Sequence, residues 1–224
     1  MWCIPKVDAV FIARMEHLLT LYARPYNSLE PVVNMDEASK QLLEDSRPSL
    51  SLAAGHPIRQ DAEYKRNGTQ AIFMAVEPKG GRRYVSLRDR RTAREFALFT
   101  RRLLGKPAYR KARRVHVVVD NLNTHFKKSF TDTFSKTEAR RILKKIKFHY
   151  TPVHASWLNM AEIELSILSR QCLNRRLATK AFMKRIVRLW QARRNRQHAT
   201  IQWKFTVEDA RSVFKDYYPA NSVE

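Results

Sequence analysis

Three acidic side chains stand where regular elements are expected to start or stop. Asp36 closes the extended run Pro31 to Asp36, Asp120 follows the apolar run Val115 to Val119, and Glu162 falls early in a helix predicted from Leu158 to Arg176. If the first and fourth strands lie side by side, the two aspartates meet although 84 positions separate them. Hard divalent cations such as Mg²⁺ or Mn²⁺ take oxygen ligands, and two ions held ~4 Å apart activate an attacking oxygen and stabilise a leaving one. That is phosphodiester chemistry. Carboxylates gathered without a cation repel and raise one another's pKa, so a cluster of them points to metal. Taken singly the acids read more plainly: Asp120 before Asn121 is a common turn opener and Asp36 a local cap. Glu164 competes with Glu162, because at about 100° per residue the two lie on opposite flanks of the stripe Leu158, Ala161, Leu165, Leu168, Cys172. Periodicity leaves that choice open; the helix dipole mildly favours Glu162.

The elements that must carry these acids follow from patterning. An amphipathic helix through Val10, Ile12, Met15, Leu18, Leu19 and Tyr22 ends at Pro25. A strand ending at Asp36 and a polar loop from Glu44 to Gly55 come next. Strands over Thr69–Val76 and Arg82–Leu87 are joined through Pro78-Lys79-Gly80-Gly81, a hairpin connection. A helix over Thr92–Leu104 stops at Gly105, and Val115 to Val119 reads as a strand covered on both faces. Helix Glu138–Lys145, strand Lys147–Tyr150, the Leu158 helix, with Ser156 as its expected cap, and a helix over Lys180–Arg194 complete the pattern. A Thr206-initiated helix closes near Tyr217-Tyr218-Pro219. The fold class is α/β: a five-stranded mixed sheet, three antiparallel strands then βαβα, with flanking helices. Residues 1–30 are expected as an N-terminal helix and linker, 31–196 as the catalytic domain and 197–224 as an appendage packed on it.

Charge supplies the partner. The 224 residues hold 43 Lys+Arg against 21 Asp+Glu, a formal charge of +22. With 44% apolar residues the chain can bury a core, so the charge does not signal disorder. The excess is segregated: residues 1–64 carry six basic and nine acidic side chains, residues 82–114 thirteen and two, and residues 171–196 nine basic and none acidic. Solvated helix faces usually mix both signs, and a lipid-surface binder would concentrate its cations on one amphipathic helix. Basic residues spread over separate segments suit a phosphate backbone. No apolar run approaches the ~18 residues of a membrane span, no secretory signal stands at the N-terminus, and Cys3 and Cys172 alone make neither a disulfide framework nor a zinc site. A reducing cytosolic compartment is expected.

Longer strings carry a resemblance. Val32-Val33-Asn34-Met35-Asp36-Glu37, Val117-Val118-Val119-Asp120-Asn121-Leu122-Asn123-Thr124-His125, and Phe148-His149-Tyr150-Thr151-Pro152 running into Ser156-Trp157-Leu158-Asn159-Met160-Ala161-Glu162 resemble bacterial insertion-sequence transposases of the mariner superfamily. The resemblance implies a DDE endonuclease domain on an RNase H-like fold, with Asp36, Asp120 and Glu162 as catalytic and metal-binding residues, Glu164 as a flank residue, and Mg²⁺ or Mn²⁺, two ions, as cofactor. It further implies hydrolysis at element ends and attack of the freed 3′-hydroxyl on target DNA, double-stranded DNA as partner, a homodimer that synapses two ends, and a cytoplasmic, nucleoid-associated protein. Relatives of this kind usually carry an N-terminal helix-turn-helix region, whereas Met1-Trp2-Cys3-Ile4-Pro5 resembles the junction after one.

Around the acids, Asn121 and His125 are candidates to orient Asp120, contact phosphate or hold a metal-bound water, or plainly a turn cap and a loop histidine. Asn159, three positions before Glu162, is a candidate phosphate or loop ligand, and Trp157 a core anchor. His149 and His154 have no metal-ligand spacing with a cysteine. Arg90, Arg91, Arg94, Lys127, Lys128, Arg170, Arg175 and Arg176 are candidate DNA contacts as a group. Two further readings stand beside the transposase: an RNase H-like structure-selective nuclease, and an idle remnant that only binds DNA.

Overall fold

The computed structural model describes residues 7–47, 62–121 and 125–218. Helix α1, Ala9–Ala23, starts at Asp8, whose carboxylate accepts from the Phe11 amide at 2.9 Å, and stops before Pro25. Strands β1 (Val32–Asp45), β2 (Tyr64–Glu77) and β3 (Arg82–Arg88) form an antiparallel meander. The β2–β3 turn needs its second glycine: Gly81 has φ +63°, and a Cβ there would stand 2.8 Å from the His198 carbonyl. Helices α2 (Ala93–Leu104) and α3 (Pro107–Arg110) lead to β4 (Val115–Val119). Then come α4 (Lys128–Thr133), α5 (Lys136–Lys145), β5 (Ile146–Tyr150), α6 (Met160–Leu168), α7 (Lys180–Arg196) and α8 (Val207–Val213).

The five strands lie in the order β3-β2-β1-β4-β5, with β4 parallel to both β1 and β5. Along β1, Val33 and Met35 face a core built with Phe73, Phe96, Val117 and Phe130 beneath α2, α4 and α5. The opposite face, with Leu42, Ile72 and Met74, is covered by α6 and α7 through Leu168, Met183 and Trp190. A third cluster joins α1 and the C-terminal segment to the sheet through Met15, Leu18, Val118, Leu158 and Ala210.

Two expectations require correction. Strand β1 does not end at Asp36 but runs to Asp45, so part of the expected Glu44–Gly55 loop is strand and residues 48–61 lie outside the described residues. Its second half is too polar to read as a strand, yet it forms a cross-strand ladder with Tyr64–Gln70, and pairing overrides propensity. The helix expected over Leu158–Arg176 is three pieces: a 3-10 turn at Ser156–Leu158, α6, and a π turn at Ser169–Leu173. The break falls at Asn159, whose extended backbone and side chain, accepting from the Ala161 amide at 3.1 Å, cap α6. The cap of α6 is therefore Asn159 and not Ser156, which opens the 3-10 turn. The Met1–Pro5 segment, Leu122–Thr124 and Pro219 lie outside the described residues.

Candidate active site

Register brings the two aspartates together. Parallel pairing of β1 with β4 sets Val32 opposite His116, Val33 opposite Val117 and Asn34 opposite Val118. Continued two residues, the same offset points Asp36 towards Asp120, and the two are near enough for the Asp120 charge to act on Asp36. The last pair is Asn34 with Val118, because β4 ends at Val119 while β1 continues beside β2. The aspartates therefore stand where the sheet opens between two strands. By alternation Asp36 shares the face of Asn34 and Leu42, the face that α6 covers.

Helix α6 is stitched to that place. Asn159 donates its amide to the Met35 carbonyl at 2.9 Å, and Asn34 accepts from the Met160 amide at 3.2 Å. The Tyr22 hydroxyl sits 2.7 Å from both Asn34 Oδ1 and the Leu158 carbonyl, tying α1 to the same joint. Asn159 is buried, with its amide nitrogen on the Met35 carbonyl and its oxygen on the Ala161 amide. Its work is to seat Glu162 in the first turn of α6 above β1.

The electrostatics follow the geometry. Burial raises the Asp36 pKa to about 7; the Glu37 amide, donating at 2.7 Å, opposes this, and the charges of Asp120, Glu37 and Glu162 raise it further. All three acidic neighbours thus act on one carboxyl. Asp120 is held by His125, whose Nδ1 lies 2.6 Å from Asp120 Oδ1 while Nε2 lies 3.0 Å from both Glu37 oxygens. Burial disfavours charge on this imidazole, but its bonds to Asp120 and Glu37 outweigh burial and lift its pKa to about 9. Phe96 packs on the ring at 4.6 Å. His125 is thus buried and bridging rather than a loop histidine. Asn121 donates to the Thr151 carbonyl and accepts from Arg14 at 3.2 Å.

Glu164 leaves the contest. It is fully buried and grips Arg83 at 2.7 Å and Arg194 at 2.9 Å, so this flank residue is the centre of an internal ion-pair cluster. Burial would raise its pKa, yet these two guanidiniums hold it below the usual carboxylate range. Glu162 is half-exposed and has no ion-pair partner among the described residues. Among those residues no three His, Cys, Asp or Glu side chains are gathered tightly enough to hold a metal ion as they stand. The donors of Asp36, Asp120 and Glu162 are all carboxylate oxygens, which fits a hard divalent cation. Glu37 escapes a reading of the sequence, although it directly follows Asp36; only its contact with a histidine 88 positions away gives it a role.

Comparison with known proteins agrees with this frame. The profile of the DDE superfamily endonucleases matches residues 31–184. The chain belongs to that family. Solved structures with the same fold include the Mos1 mariner paired end complex with Mn, 17% identical over all of this chain and 67% of that one, TM-score 0.59. The Mos1 strand transfer complex is 15% identical over 98% of this chain and 65% of that one, TM-score 0.57. The chain thus spans about two thirds of their length. None of the curated proteins compared with it matches. The α/β architecture is RNase H-like.

Among the candidate DNA contacts, Arg90, Arg91, Arg94, Lys127, Lys128, Arg170 and Arg175 are exposed. Arg176 is partly buried, pairs with Asp45 at 2.7 Å and stacks over Tyr64. Trp157 stacks on Trp203 in the third core cluster, as a core anchor should. His149 lies in a chain of rings, 2.8 Å from both His17 and His116. No described helix is long and apolar enough to cross a membrane.

Proposed function

We propose that this chain is the catalytic domain of a DDE transposase, residues 31–196 forming its body, with α1 and the described part of the C-terminal appendage packed on it. Asp36, Asp120 and Glu162 are its catalytic carboxylates, and they would hold Mg²⁺ or Mn²⁺, two ions. When bound, those ions supply Lewis acidity at the attacking and leaving oxygens of a phosphodiester. The chain's own residues do the rest. Asn34 and Asn159 fix the approach of α6 to β1, Glu37 and His125 fix the Asp120 carboxylate, and the cationic surface holds the substrate. Asp36, proton-bearing up to about pH 7, is the carboxyl that must lose a proton before the oxygens act together. The substrate is double-stranded DNA, element ends and target, and a homodimer would bring two ends together.

The observation that supports this reading best is that the charges of Asp120 and Glu162 both act on the buried Asp36 carboxyl, at the place where β1 parts from β4. A strand-cleavage assay with Mn²⁺ on terminal-repeat duplex, comparing the native chain with Asp120→Asn and Glu162→Gln, tests it. Both variants should lose cleavage, and undiminished activity in either would sink the proposal. A second reading, a DNA binder without cleavage, is favoured by the hold of His125 on Asp120. Titration with Mn²⁺ separates the two: a pure binder shows no ion uptake that depends on the carboxylates.

A further inference from the structure

Edge strands expose a row of unpaired backbone groups, and proteins usually cover them. On β3 the cover is partial and its end is abrupt. Asn195 of α7 accepts from the Arg83 amide at 2.7 Å and returns a bond to the Arg83 carbonyl at 2.9 Å, while Gln191 accepts from the Val85 amide at 2.6 Å. Four helical residues advance about 6 Å and two strand residues about 6.7 Å, so α7 presents its side-chain amides in step with the strand. The next position in that series is Val187, which is apolar and buried. By alternation the Leu87 amide, the next outward-facing donor, opens instead into a groove of about 560 Å³ between α7, the β3 edge and α2.

Cations line that groove from both walls: Arg102 on α2, Arg88 on β3, and Lys180, Lys184 and Arg188 on α7. Arg88 is engaged by Glu95 at 3.1 Å and Lys180 by Asp89 at 2.6 Å. Arg102, Lys184 and Arg188 are exposed and, among the described residues, have no ion-pair partner. Another strand could pair with this open edge only by bringing its own charges between three free cations; a phosphate backbone answers both the cations and the amide. The groove lies on the side of the sheet remote from β5, and Val85 is in transverse register with Met74 and Asp36. Two strand spacings, roughly 10 Å, separate it from the catalytic strand.

We propose that this edge groove is a second phosphate track, gripping duplex DNA without regard to sequence through Arg102, Lys184, Arg188 and the Leu87 amide, to one side of the carboxylates. It rests on the DNA-acting reading above but makes a separate demand: binding here needs neither metal nor cleavage. The test is fluorescence anisotropy with a random-sequence duplex in EDTA across a salt series, for the whole chain. The triple variant Arg102→Ala/Lys184→Ala/Arg188→Ala should flatten the plot of log affinity against log salt by about 2–3 units, at about 0.9 for each phosphate left without its cation. Lys136→Ala/Arg140→Ala/Lys144→Ala removes equal charge from the exposed face of α5 and should flatten it far less. An unchanged slope in the groove variant, or equal loss in the α5 variant, would overturn the assignment. So would tighter binding of single-stranded RNA that is lost in the groove variant. Because binding is read in EDTA, failure of the carboxylates to cut DNA leaves the result intact.

Discussion

Two acidic centres on the same face of this sheet have opposite charge balance. Glu164 is one carboxylate between two guanidiniums, all but sealed from solvent. Asp36 is one carboxyl amid three further acids, with His125 the imidazole bridging two of them. The first centre is complete and holds β3, α6 and α7 together. The second carries excess negative charge, a state that burial penalises and that a divalent cation would relieve. Two glutamates two positions apart on α6 thus serve different ends, one fixed by what it already grips and the other by what it lacks.

Exchanging the roles of those glutamates gives the largest contrast. Glu162→Gln should lower strand cleavage by on the order of 10³-fold or more, as expected for a member of a unit that acts together, while stability stays within about 0.5 kcal/mol. Glu164→Gln should do the reverse, costing about 3–5 kcal/mol by leaving two guanidiniums without their anion. Denaturant melts beside cleavage rates measure both. A destabilised Glu162 variant would erase the distinction.

Asp36 extends the contrast to pH. Its folded pKa of about 7 lies above the ordinary 3.8, so the folded state binds the proton more tightly than the unfolded one. Its contribution is fully present below about pH 4 and is lost as pH rises through 7. Asp36→Asn, which keeps an acceptor for the Glu37 amide, should therefore stabilise the metal-free protein at pH 8, by up to about 4 kcal/mol at 1.36 kcal/mol per unit, and hardly at all near pH 4. The same substitution should abolish cleavage, a site paying in stability for function.

His125 tests whether the acidic centre is held from behind. His125→Ala removes the link between Asp120 and Glu37, and the Mn²⁺ concentration for half-maximal cleavage should rise about 10–100-fold, the usual cost of losing a group that orients a ligand. His125→Gln, able to reach one partner, should recover part of it. An unchanged metal requirement would reduce His125 to packing against Phe96.

How much of this is legible in the sequence depends on the range of the interaction. The β5 run, the β2–β3 hairpin and the α2 boundaries are local, and patterning finds them within a few residues. The three acids stand out because residue type and a resemblance coincide, although the strand expected to end at Asp36 runs on to Asp45. What escapes is set by partners far along the chain: β1 beyond Asp36 is a strand only because β2 pairs with it, and Asn159 is a cap because the Met35 carbonyl takes its other end. The choice between Glu162 and Glu164 needs Arg83, 81 positions away. Helical periodicity places both on the flanks of a stripe and cannot see what waits there.

The same rule sorts the cations, with a smaller effect. Arg175 and Arg176 are adjacent in sequence and equal there as candidates for DNA. Arg176 is spent: it pairs with Asp45 at 2.7 Å, donates to the Glu63 carbonyl at 3.2 Å and lies over the Tyr64 ring. Arg175 is exposed, with one long bond to the Cys172 carbonyl at 3.4 Å. Arg176→Ala should cost about 1 kcal/mol of stability, the scale of a partly exposed pair, and leave the salt slope of DNA binding where it was. Arg175→Ala should leave stability alone and flatten that slope by about 0.9. If both variants behaved alike, an existing partner would cease to be a guide to which charges on this surface are free for DNA, and the contrast between Glu164 and Glu162 would have to stand on burial alone.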